Sequence, residues 1–271
     1  MTSHDVVAIV RRVLGQRSVG HVGTLDPFAT GLLILLVGRA TRLARFITGF
    51  EKRYRAEAIL GVQTDTDDRT GSIISQVDAP QWPSRERIVE VMEEFVGQLQ
   101  QRPPRFSAKH IGGRRAYALA RAGEPVDLKS ASVEVHRISV VEWLPPRLTF
   151  EVTVSTGTYI RSLARDLGER LGLGAHLAEL RRDQIGPHRV EDAVSMDELR
   201  PEMQLLEPGA LIPHLRRIEV DPAEAEDVRH GRGVSRDGAA GEAILMAEGR
   251  FLGVAEGADG VWRPRVVLES A

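Results

Sequence analysis

The stretch HVGTLDPFATG, residues 21–31, contains a single acidic residue, Asp26. It is also the only acid between Asp5 and Glu51, an interval that holds six arginines. Aspartate followed by proline is a good helix start, with Asp as the N-cap and Pro at the first helical position. One interpretation is therefore purely structural. The other is chemical, because a lone carboxylate at a glycine-rich turn among cations is a candidate reactive group.

The charge of the chain is unevenly distributed, although its 271 residues carry a formal net charge of only −2. Residues 1–190 contain 27 basic and 21 acidic side chains, whereas residues 191–271 contain 9 and 17. The segment 95–123 has six basic residues and no acid. Fixed positive charge attracts phosphates. The pattern indicates a nucleic-acid partner, with a solvated arginine-rich surface as the alternative.

Several classes of protein and site are excluded. The chain has no cysteine, which rules out disulfides and thiolate sites and fits a reducing cytoplasm. Its eight histidines show no metal-ligand spacing, and no phosphate-binding or dinucleotide-binding glycine motif is present, so we expect neither a metal nor a nucleotide cofactor. The longest aliphatic run, Leu32–Val37, is too short to cross a bilayer, and the N-terminus does not resemble a signal peptide.

Hydrophobic periodicity predicts an α+β chain. Helical spacing follows a possible Thr2–Asp5 capping box, follows Ser84 as far as Leu99, and recurs over residues 158–172. Alternation predicts a strand over residues 52–61 and paired strands over 131–143 and 147–155. We expect a mixed or antiparallel central sheet flanked by helices.

A domain boundary is predicted where the pattern weakens, between residues 210 and 211. Short strand-like pieces such as EAILMAEG and RFLGVAE follow it, separated by hairpin turns. Residues 1–210 therefore form the larger predicted domain, and residues 211–271 a small, acidic, mostly β domain.

Two further residues stand out. Arg161 falls in the first turn of its predicted helix, where a cation opposes the helix dipole at a cost of about 0.3–1 kcal/mol. It either faces solvent or pairs with a carboxylate, which it would keep ionised and oriented. Tyr54 falls on the apolar face of its strand with basic neighbours on both sides. It is either a core residue or a platform on which a base stacks.

Four segments occur in the order of the motifs of a known family. GHVGTLDPFATGLL, KRYRAEAILGVQTDTDD, QRPPRFSAKHIGGRRAYALAR and STGTYIRSLARDLGERLGLGAHLAELRR resemble successive motifs of the tRNA pseudouridine synthase B (TruB) family. The resemblance implies a pseudouridine synthase catalytic domain over residues 1–210 and a PUA-like domain over residues 211–271. Family members usually carry a strand and a lysine- and proline-containing turn ahead of the segment that matches MTSHDVV. This departure concerns a sheet edge and one substrate contact rather than Asp26.

The resemblance implies three catalytic residues. Asp26 matches the nucleophilic aspartate, Arg161 the arginine that salt-bridges it, and Tyr54 the tyrosine that stacks on the target uracil and is a candidate for proton abstraction. The chemistry agrees with this assignment. Isomerising uridine requires a carboxylate nucleophile in a dry pocket, attacking either the sugar or the base, but no redox change. The target base must also be flipped out of its stack.

Further residues are implied to bind the substrate. Tyr159 and Leu180 match residues that line the pocket, and His21 matches the histidine that enters the RNA loop in place of the flipped base. Asp68 matches an acidic residue associated with the tRNA contact. Residues 101–121 match a loop-and-helix insertion that closes over the RNA and includes the basic residues Lys109, Arg114 and Arg115.

The implied function is that of a stand-alone, monomeric, cytoplasmic isomerase. It would convert uridine 55 in the T loop of tRNA to pseudouridine without a cofactor, a metal or a protein partner. A first alternative is a non-catalytic RNA-binding or tRNA-folding protein in which Asp26 only caps a helix. A second is the guide-RNA-dependent branch of the same family, which requires partner proteins.

Overall fold

The computed structural model describes residues 1–78, 81–107, 110–111, 114–115 and 128–268. The α-helices are α1 (Ser3–Val13), α2 (Ala44–Ile47), α3 (Arg85–Glu93), α4 (Ile160–Arg170) and α5 (Pro222–Arg229). The strands before α4 are β1 (Val19–Val22), β2 (Thr30–Gly31), β3 (Ile34–Val37), β4 (Lys52–Leu60), β5 (Val62–Thr64), β6 (Ile73–Gln76), β7 (Gly97–Gln101), β8 (His110–Ile111), β9 (Arg114–Arg115), β10 (Ala131–Leu144) and β11 (Arg147–Val154). Those after α4 are β12 (Ala175–Ile185), β13 (His188–Arg189), β14 (Arg216–Val220), β15 (Val234–Ser235), β16 (Gly241–Ala247), β17 (Arg250–Ala258) and β18 (Val261–Val267). The predicted α+β class is confirmed. No helix within the described ranges has both the length and the apolar character needed to span a bilayer.

The internal contacts divide the chain into two compact units. One comprises residues 1–24, 33–48 and 194–271, and the other comprises residues 25–32 and 49–193. The chain therefore passes from one unit to the other within the glycine-rich stretch before Asp26. The predicted domain boundary between residues 210 and 211 stays a prediction.

The unit formed by residues 25–32 and 49–193 is built on one sheet. Its strand order is β13-β12-β4-β11-β10-β7, and the short β2 runs parallel beside β12, which gives seven strands among the described residues. The long neighbours β12, β4, β11 and β10 pair antiparallel. The sheet is mixed, as predicted, and β4 lies near its centre.

Alternation along β4 decides which of its residues face the core. Arg53 and Arg55 are exposed on one face. The other face buries every second residue, and the core also takes apolar side chains from α3 and α4. Because a strand has a period of two, this face was predictable from the sequence. The buried residues of β4 on that face are Lys52, Tyr54, Ala56, Ala58 and Leu60.

Helix α4 packs on the sheet through a stripe at helical spacing. Ile160, Leu163, Ala164 and Leu167 are all buried, as predicted. Each large aliphatic side chain removed from water in this way stabilises the fold by about 1.5–3 kcal/mol. The stripe fixes the rotation of α4 about its axis and therefore the direction in which the next residue, Arg161, projects.

The other unit begins with the predicted capping box. Thr2 Oγ1 accepts from the backbone N–H of Asp5 at 3.2 Å, and the Thr2 N–H donates to Asp5 Oδ2 at 2.8 Å. Helix α1 then packs Val7 and Val10 against Val19 of β1, which pairs antiparallel with β3. These contacts form a small apolar cluster of their own.

The C-terminal part of that unit is the predicted mostly β module. Its sheet has the order β14-β16-β17-β18-β15. Trp262 on β18 and Val228 on α5 are buried in its core. Arg39 and Arg42 donate to the carbonyl oxygens of Leu268 and Val267 at 3.0 and 2.9 Å, which ties residues 33–48 to this module.

Two local predictions are wrong. No helix starts at Asp26, because residues 26–29 form a turn closed by the Ala29 N–H on the Asp26 carbonyl oxygen at 2.9 Å. Helix α3 begins after the Ser84 cap as predicted, but it ends at Glu93. Leu99 lies instead in β7, which pairs with β10.

Candidate active site

The segment that carries Asp26 is held against β12 by main-chain contacts. Thr30 and Gly31 pair in parallel with Arg181 and Arg182, and the Leu32 N–H donates to the Arg182 carbonyl oxygen at 2.8 Å. Gly31 has a φ of 99°, in the left-handed region, and a Cβ there would collide with that same oxygen. Only glycine permits this close approach.

Asp26 and Arg161 form a two-pronged ion pair. Arg161 Nε donates to Asp26 Oδ2 at 2.9 Å, and Nη2 donates to Oδ1 at 2.9 Å. The planar guanidinium matches a carboxylate in this geometry, so the pair fixes orientation as well as charge. Of the two alternatives for Arg161, the pairing with a carboxylate is correct.

Arg161 is held by further acceptors. Its Nη1 donates to the Thr66 carbonyl oxygen and its Nη2 to the Phe106 carbonyl oxygen, both at 3.0 Å, while Asp68 Oδ2 lies 3.3 Å from Nη1. The side chain is only 4% exposed. A buried guanidinium is tolerated when its donors are satisfied in this way.

The start of α4 is positioned by Gln101 at the end of β7. Its side-chain amide donates to the Tyr159 carbonyl oxygen at 3.0 Å and accepts from the Tyr159 N–H at 2.8 Å. Tyr159 is the N-cap of α4 and makes no side-chain cap hydrogen bond of its own. Gln101 therefore sets the backbone from which Arg161 projects.

Asp68 is fixed by its own turn. Its Oδ1 accepts from Thr66 Oγ1 at 2.8 Å, from the Thr70 N–H at 2.9 Å and from Thr70 Oγ1 at 2.6 Å. The turn is joined to β12, because the Arg69 N–H donates to the Leu177 carbonyl oxygen at 2.9 Å. The polar run QTDTDDRTG thus delivers a buried carboxylate to Arg161.

Tyr54 lies on the core face of β4 and is 7% exposed. Burial raises the pKa of its phenol and the nearby Asp26 carboxylate adds to that rise, whereas the charge and hydrogen bond of Arg182 act to lower it. Tyr54 is thus electrostatically coupled both to the candidate nucleophile and to a buried cation.

Tyr159 and Leu180 lie in the same unit as Asp26. Burial raises the pKa of the Tyr159 phenol, while the hydrogen bond with Ser107 and the charge of Arg161 oppose the rise. Leu180 on β12 is buried in the core, and its carbonyl oxygen is 3.5 Å from Thr30 Oγ1. Both residues therefore belong to the walls around the ion pair.

The accessibility of the two partners differs in a way that suits chemistry. The Asp26 side chain is 30% exposed, whereas Arg161 behind it is almost completely buried. An oriented carboxylate with a free approach can act as a nucleophile or as a base. Among the residues that the structure describes, no group of three or more histidine, aspartate or glutamate residues is arranged to hold a metal ion.

Other predicted substrate-binding residues are not brought to this site by the structure. His21 lies on β1 in the other compact unit, opposite Leu35 of β3. Lys109 and the predicted helix of the 101–121 insertion lie outside the described residues. For Arg114 and Arg115 the described feature is their pairing, as β9, with Ile111 and His110 of β8.

Sequence reasoning misses several residues of the site. The main-chain oxygens of Thr66 and Phe106 leave no signal in the sequence. Gln101 precedes a proline-rich loop and reads as a connecting residue, although it positions α4. Arg182 ends the quoted motif HLAELRR, so its place next to an apolar strand pattern was the signal available for it.

Comparison with protein-family models gives three adjacent matches. Residues 11–160 match the model described as TruB family pseudouridylate synthase, N-terminal domain. Residues 161–208 match the tRNA pseudouridylate synthase B C-terminal domain, and residues 217–268 match pseudouridine synthase II TruB, C-terminal. The first match includes Asp26 and Tyr54, and the second begins at Arg161.

Curated proteins named tRNA pseudouridine synthase B are similar along nearly the whole chain. The protein from Thermobifida fusca is 44% identical, with 98% of this chain and 94% of the relative aligned. The protein from Gloeobacter violaceus is 42% identical over 99% and 95% of the two chains, and the one from Aquifex aeolicus 37% identical over 99% and 96%.

Solved structures share the fold. A chain from the crystal structure of a Cbf5-Nop10-Gar1 complex matches with a TM-score of 0.71 and 25% identity, covering 100% of this chain and 82% of the other. A chain from an H/ACA RNP bound to a substrate RNA containing 2′-deoxyuridine matches with a TM-score of 0.69 and 23% identity, covering 99% and 82%.

Proposed function

The chain belongs to the TruB family of pseudouridine synthases, and on that premise we propose that it converts uridine 55 in the T loop of tRNA to pseudouridine, with Asp26 as the nucleophile. The family makes the chain an isomerase that modifies tRNA. The observation that carries the finer proposal is the two-pronged ion pair between Asp26 and Arg161.

The ion pair supplies what the nucleophile requires. A buried carboxylate without a partner would gain a proton, and a neutral carboxyl is a poor nucleophile. Arg161 favours the ionised form and holds both oxygens in one plane, while the 30% exposure of the Asp26 side chain leaves room for the reacting atom. The residue attacks either C1′ of the ribose or the uracil ring, and the geometry is compatible with both.

The isomerisation is balanced without any external reagent. The bond between N1 and C1′ breaks and a bond between C5 and C1′ forms. C5 loses a proton and N1 gains one, so no electrons enter or leave. The site must therefore activate one carbon, hold the detached uracil while it turns, and move a proton. Tyr54 is the candidate for taking the C5 proton and for stacking on the uracil.

The remaining assignments follow the same proposal. Tyr159 and Leu180 line the uracil pocket, and Asp68 supports Arg161 from its turn. His21, Lys109, Arg114 and Arg115 contact the RNA, with the insertion 101–121 closing over it and residues 211–271 acting as a PUA-like domain. The proposed enzyme is a cytoplasmic monomer that requires the tRNA T arm and no protein partner.

A direct test uses the purified chain and a T-arm stem-loop transcript with nothing else added. We expect pseudouridine at the T-loop uridine by chemical mapping. Asp26→Asn keeps the size of the side chain but removes the nucleophile, so it should abolish product while RNA binding persists. Asp183→Asn is the matched control, because it also breaks an aspartate–arginine pair, with Arg181, outside the site.

Each result separates the alternatives. Product formed by Asp26→Asn would contradict the nucleophilic role of Asp26. Binding without product by the unaltered chain would favour the non-catalytic RNA-binding protein. Product that appears only after a guide RNA and partner proteins are added would favour the guide-dependent branch.

A further inference from the structure

Arg182 is a buried charge that the chemistry described above leaves unused. It lies on β12 and is 1% exposed. Across the sheet it is paired with Tyr54 of β4. Its guanidinium is within hydrogen-bonding reach of the Tyr54 hydroxyl, to which it can only donate.

Arg182 also contacts the segment that follows Asp26. Its Nε donates to the Leu32 carbonyl oxygen at 2.8 Å, and its own carbonyl oxygen accepts from the Leu32 N–H at 2.8 Å. The same residue therefore holds the segment that carries the nucleophile through its main chain and its side chain. Burying a guanidinium is costly, so its position against both groups suggests a role beyond packing.

We propose, on the premise of the function above, that Arg182 is a positioning residue for the isomerisation: its guanidinium fixes the Tyr54 hydroxyl relative to the segment that presents Asp26. Donation from a cation favours the oxygen of Tyr54 as a proton acceptor, which is the role proposed for it at C5. Loss of this donation should slow the chemical step rather than weaken RNA binding.

The charges around Tyr54 support this direction. Burial and Asp26 disfavour its phenolate, and Arg182 favours it. Lys52, two residues before Tyr54, is also buried, and its Nζ donates to the Phe50 carbonyl oxygen at 2.8 Å. Burial together with Arg182 lowers the pKa of Lys52 to about 8. Of the two charged groups that act on Tyr54, Arg182 is therefore the one that favours its phenolate.

The first test measures ionisation directly and does not depend on activity. The chain has three tyrosines, Tyr54, Tyr117 and Tyr159, so difluorotyrosine incorporation gives three fluorine NMR signals that Tyr→Phe variants assign. Fluorination also brings phenol ionisation into a pH range in which the protein stays folded. Arg182→Met removes the charge, and Arg182→Lys keeps it on a chain of similar length.

The expected result is a rise of about 1 pH unit or more in the Tyr54 midpoint for Arg182→Met. Arg182→Lys should stay closer to the unaltered protein. Arg55→Met is the control, because Arg55 adjoins Tyr54 in sequence but is exposed on the other face of β4. A Tyr54 midpoint in Arg182→Met equal to that of the control overturns the proposal, because a packing role alone would leave the midpoint unmoved.

The second test is kinetic. In single turnovers on the T-arm transcript, Arg182→Met should lose about 10²-fold in rate, within the range for a proton-transfer group, with less than about 3-fold change in RNA affinity. If Arg182→Met fails to fold, a cycle of Arg182→Lys with Tyr54→Phe decides. The effect of Arg182→Lys should vanish when the Tyr54 hydroxyl is absent, and fully additive losses contradict the proposal.

The two hypotheses fail separately. If the unaltered chain forms no pseudouridine, the proposed function is wrong, whatever the fluorine signals show. If the unaltered chain is active but Arg182→Met matches Arg55→Met in midpoint and rate, the function stands and the role of Arg182 is wrong.

Discussion

Asp68 Oδ2 lies 3.3 Å from the same Arg161 guanidinium that donates to both oxygens of Asp26. One buried cation is therefore shared by two carboxylates of different exposure, 6% for Asp68 and 30% for Asp26. Asp68 is held by Thr66 and Thr70 and takes the structural part, whereas the more exposed Asp26 is left for the chemistry.

Asp68→Asn should weaken the fold more than it weakens the reaction. The amide keeps the shape of the side chain but replaces an acceptor of three hydrogen bonds with a group that is partly a donor, at a cost of about 1–3 kcal/mol in the free energy of unfolding. We expect a loss of about 10-fold in single-turnover rate, since Arg161 keeps its other acceptors. Denaturant unfolding and rapid-quench assays measure the two effects. A rate as low as that of Asp26→Asn would mean that Asp68 itself takes part in the chemistry.

Arg161→Lys should reduce the rate of product formation by about 10²-fold or more while RNA affinity changes by less than about 3-fold. A lysine carries the charge but not the planar pair of donors that orients both Asp26 oxygens. Single-turnover rates and filter-binding affinities measure the split. Arg165→Lys is the control, because Arg165 lies one turn later on α4 and pairs with Asp67 instead. Equal losses in rate and affinity would indicate that Arg161 mainly binds RNA.

Lys52→Met should stabilise the protein at neutral pH. The pKa of Lys52 is about 8 when folded against a reference of 10.5, so below pH 8 folding buries a charge that favours water. Between about pH 8 and 10.5 the unfolded chain binds the extra proton, and the stability of the unaltered protein rises with pH. We expect a gain of about 1–2 kcal/mol in the free energy of unfolding at pH 7, reduced by the lost hydrogen bond to Phe50.

The gain from Lys52→Met should shrink toward zero above pH 10, as measured by urea unfolding at a series of pH values. Lys129→Met serves as the matched control, because Lys129 is exposed and its substitution should leave the stability curve unchanged in shape. A gain for Lys52→Met that does not vary with pH would show that packing, rather than the charge, is responsible.

Charge reversal at Arg114 and Arg115 should weaken RNA binding and flatten its dependence on salt. Each lost phosphate contact reduces the slope of log affinity against log salt by about 0.9 on duplex RNA or DNA-like backbones. We expect Arg114→Glu with Arg115→Glu to lower affinity by about 10-fold or more at low salt. Titrations at several salt concentrations measure the slope, and a slope equal to that of the unaltered chain would show that neither residue contacts the RNA.

Local pattern predicts the parts of the fold that local sequence controls. The Thr2–Asp5 box starts α1, the alternation around Tyr54 gives β4 its two faces, and the stripe from Ile160 to Leu167 orients α4. The pairing of Arg161 with a carboxylate was one of two open alternatives, since a single sequence does not indicate which residues meet across 135 positions.

Long-range contacts explain the predictions that failed. The Asp26 segment is not a helix because its backbone is taken up by pairing with β12, which lies 150 residues away. Strand β12 escapes detection because it is rich in alanine, glutamate and arginine. Two register irregularities, at Leu177/Glu179 and Arg182/Gln184, also break its alternation. Helix α3 stops short of Leu99 because β7 finds a partner in β10.

The close approach at Gly31 limits how the enzyme can be re-engineered. Any larger amino acid there would push the strand-like segment off β12 and carry the nucleophile away from Tyr54 and Leu180. Libraries aimed at new RNA targets should therefore leave this glycine fixed and vary the arginine-rich insertion, where sequence can change without moving the reacting groups.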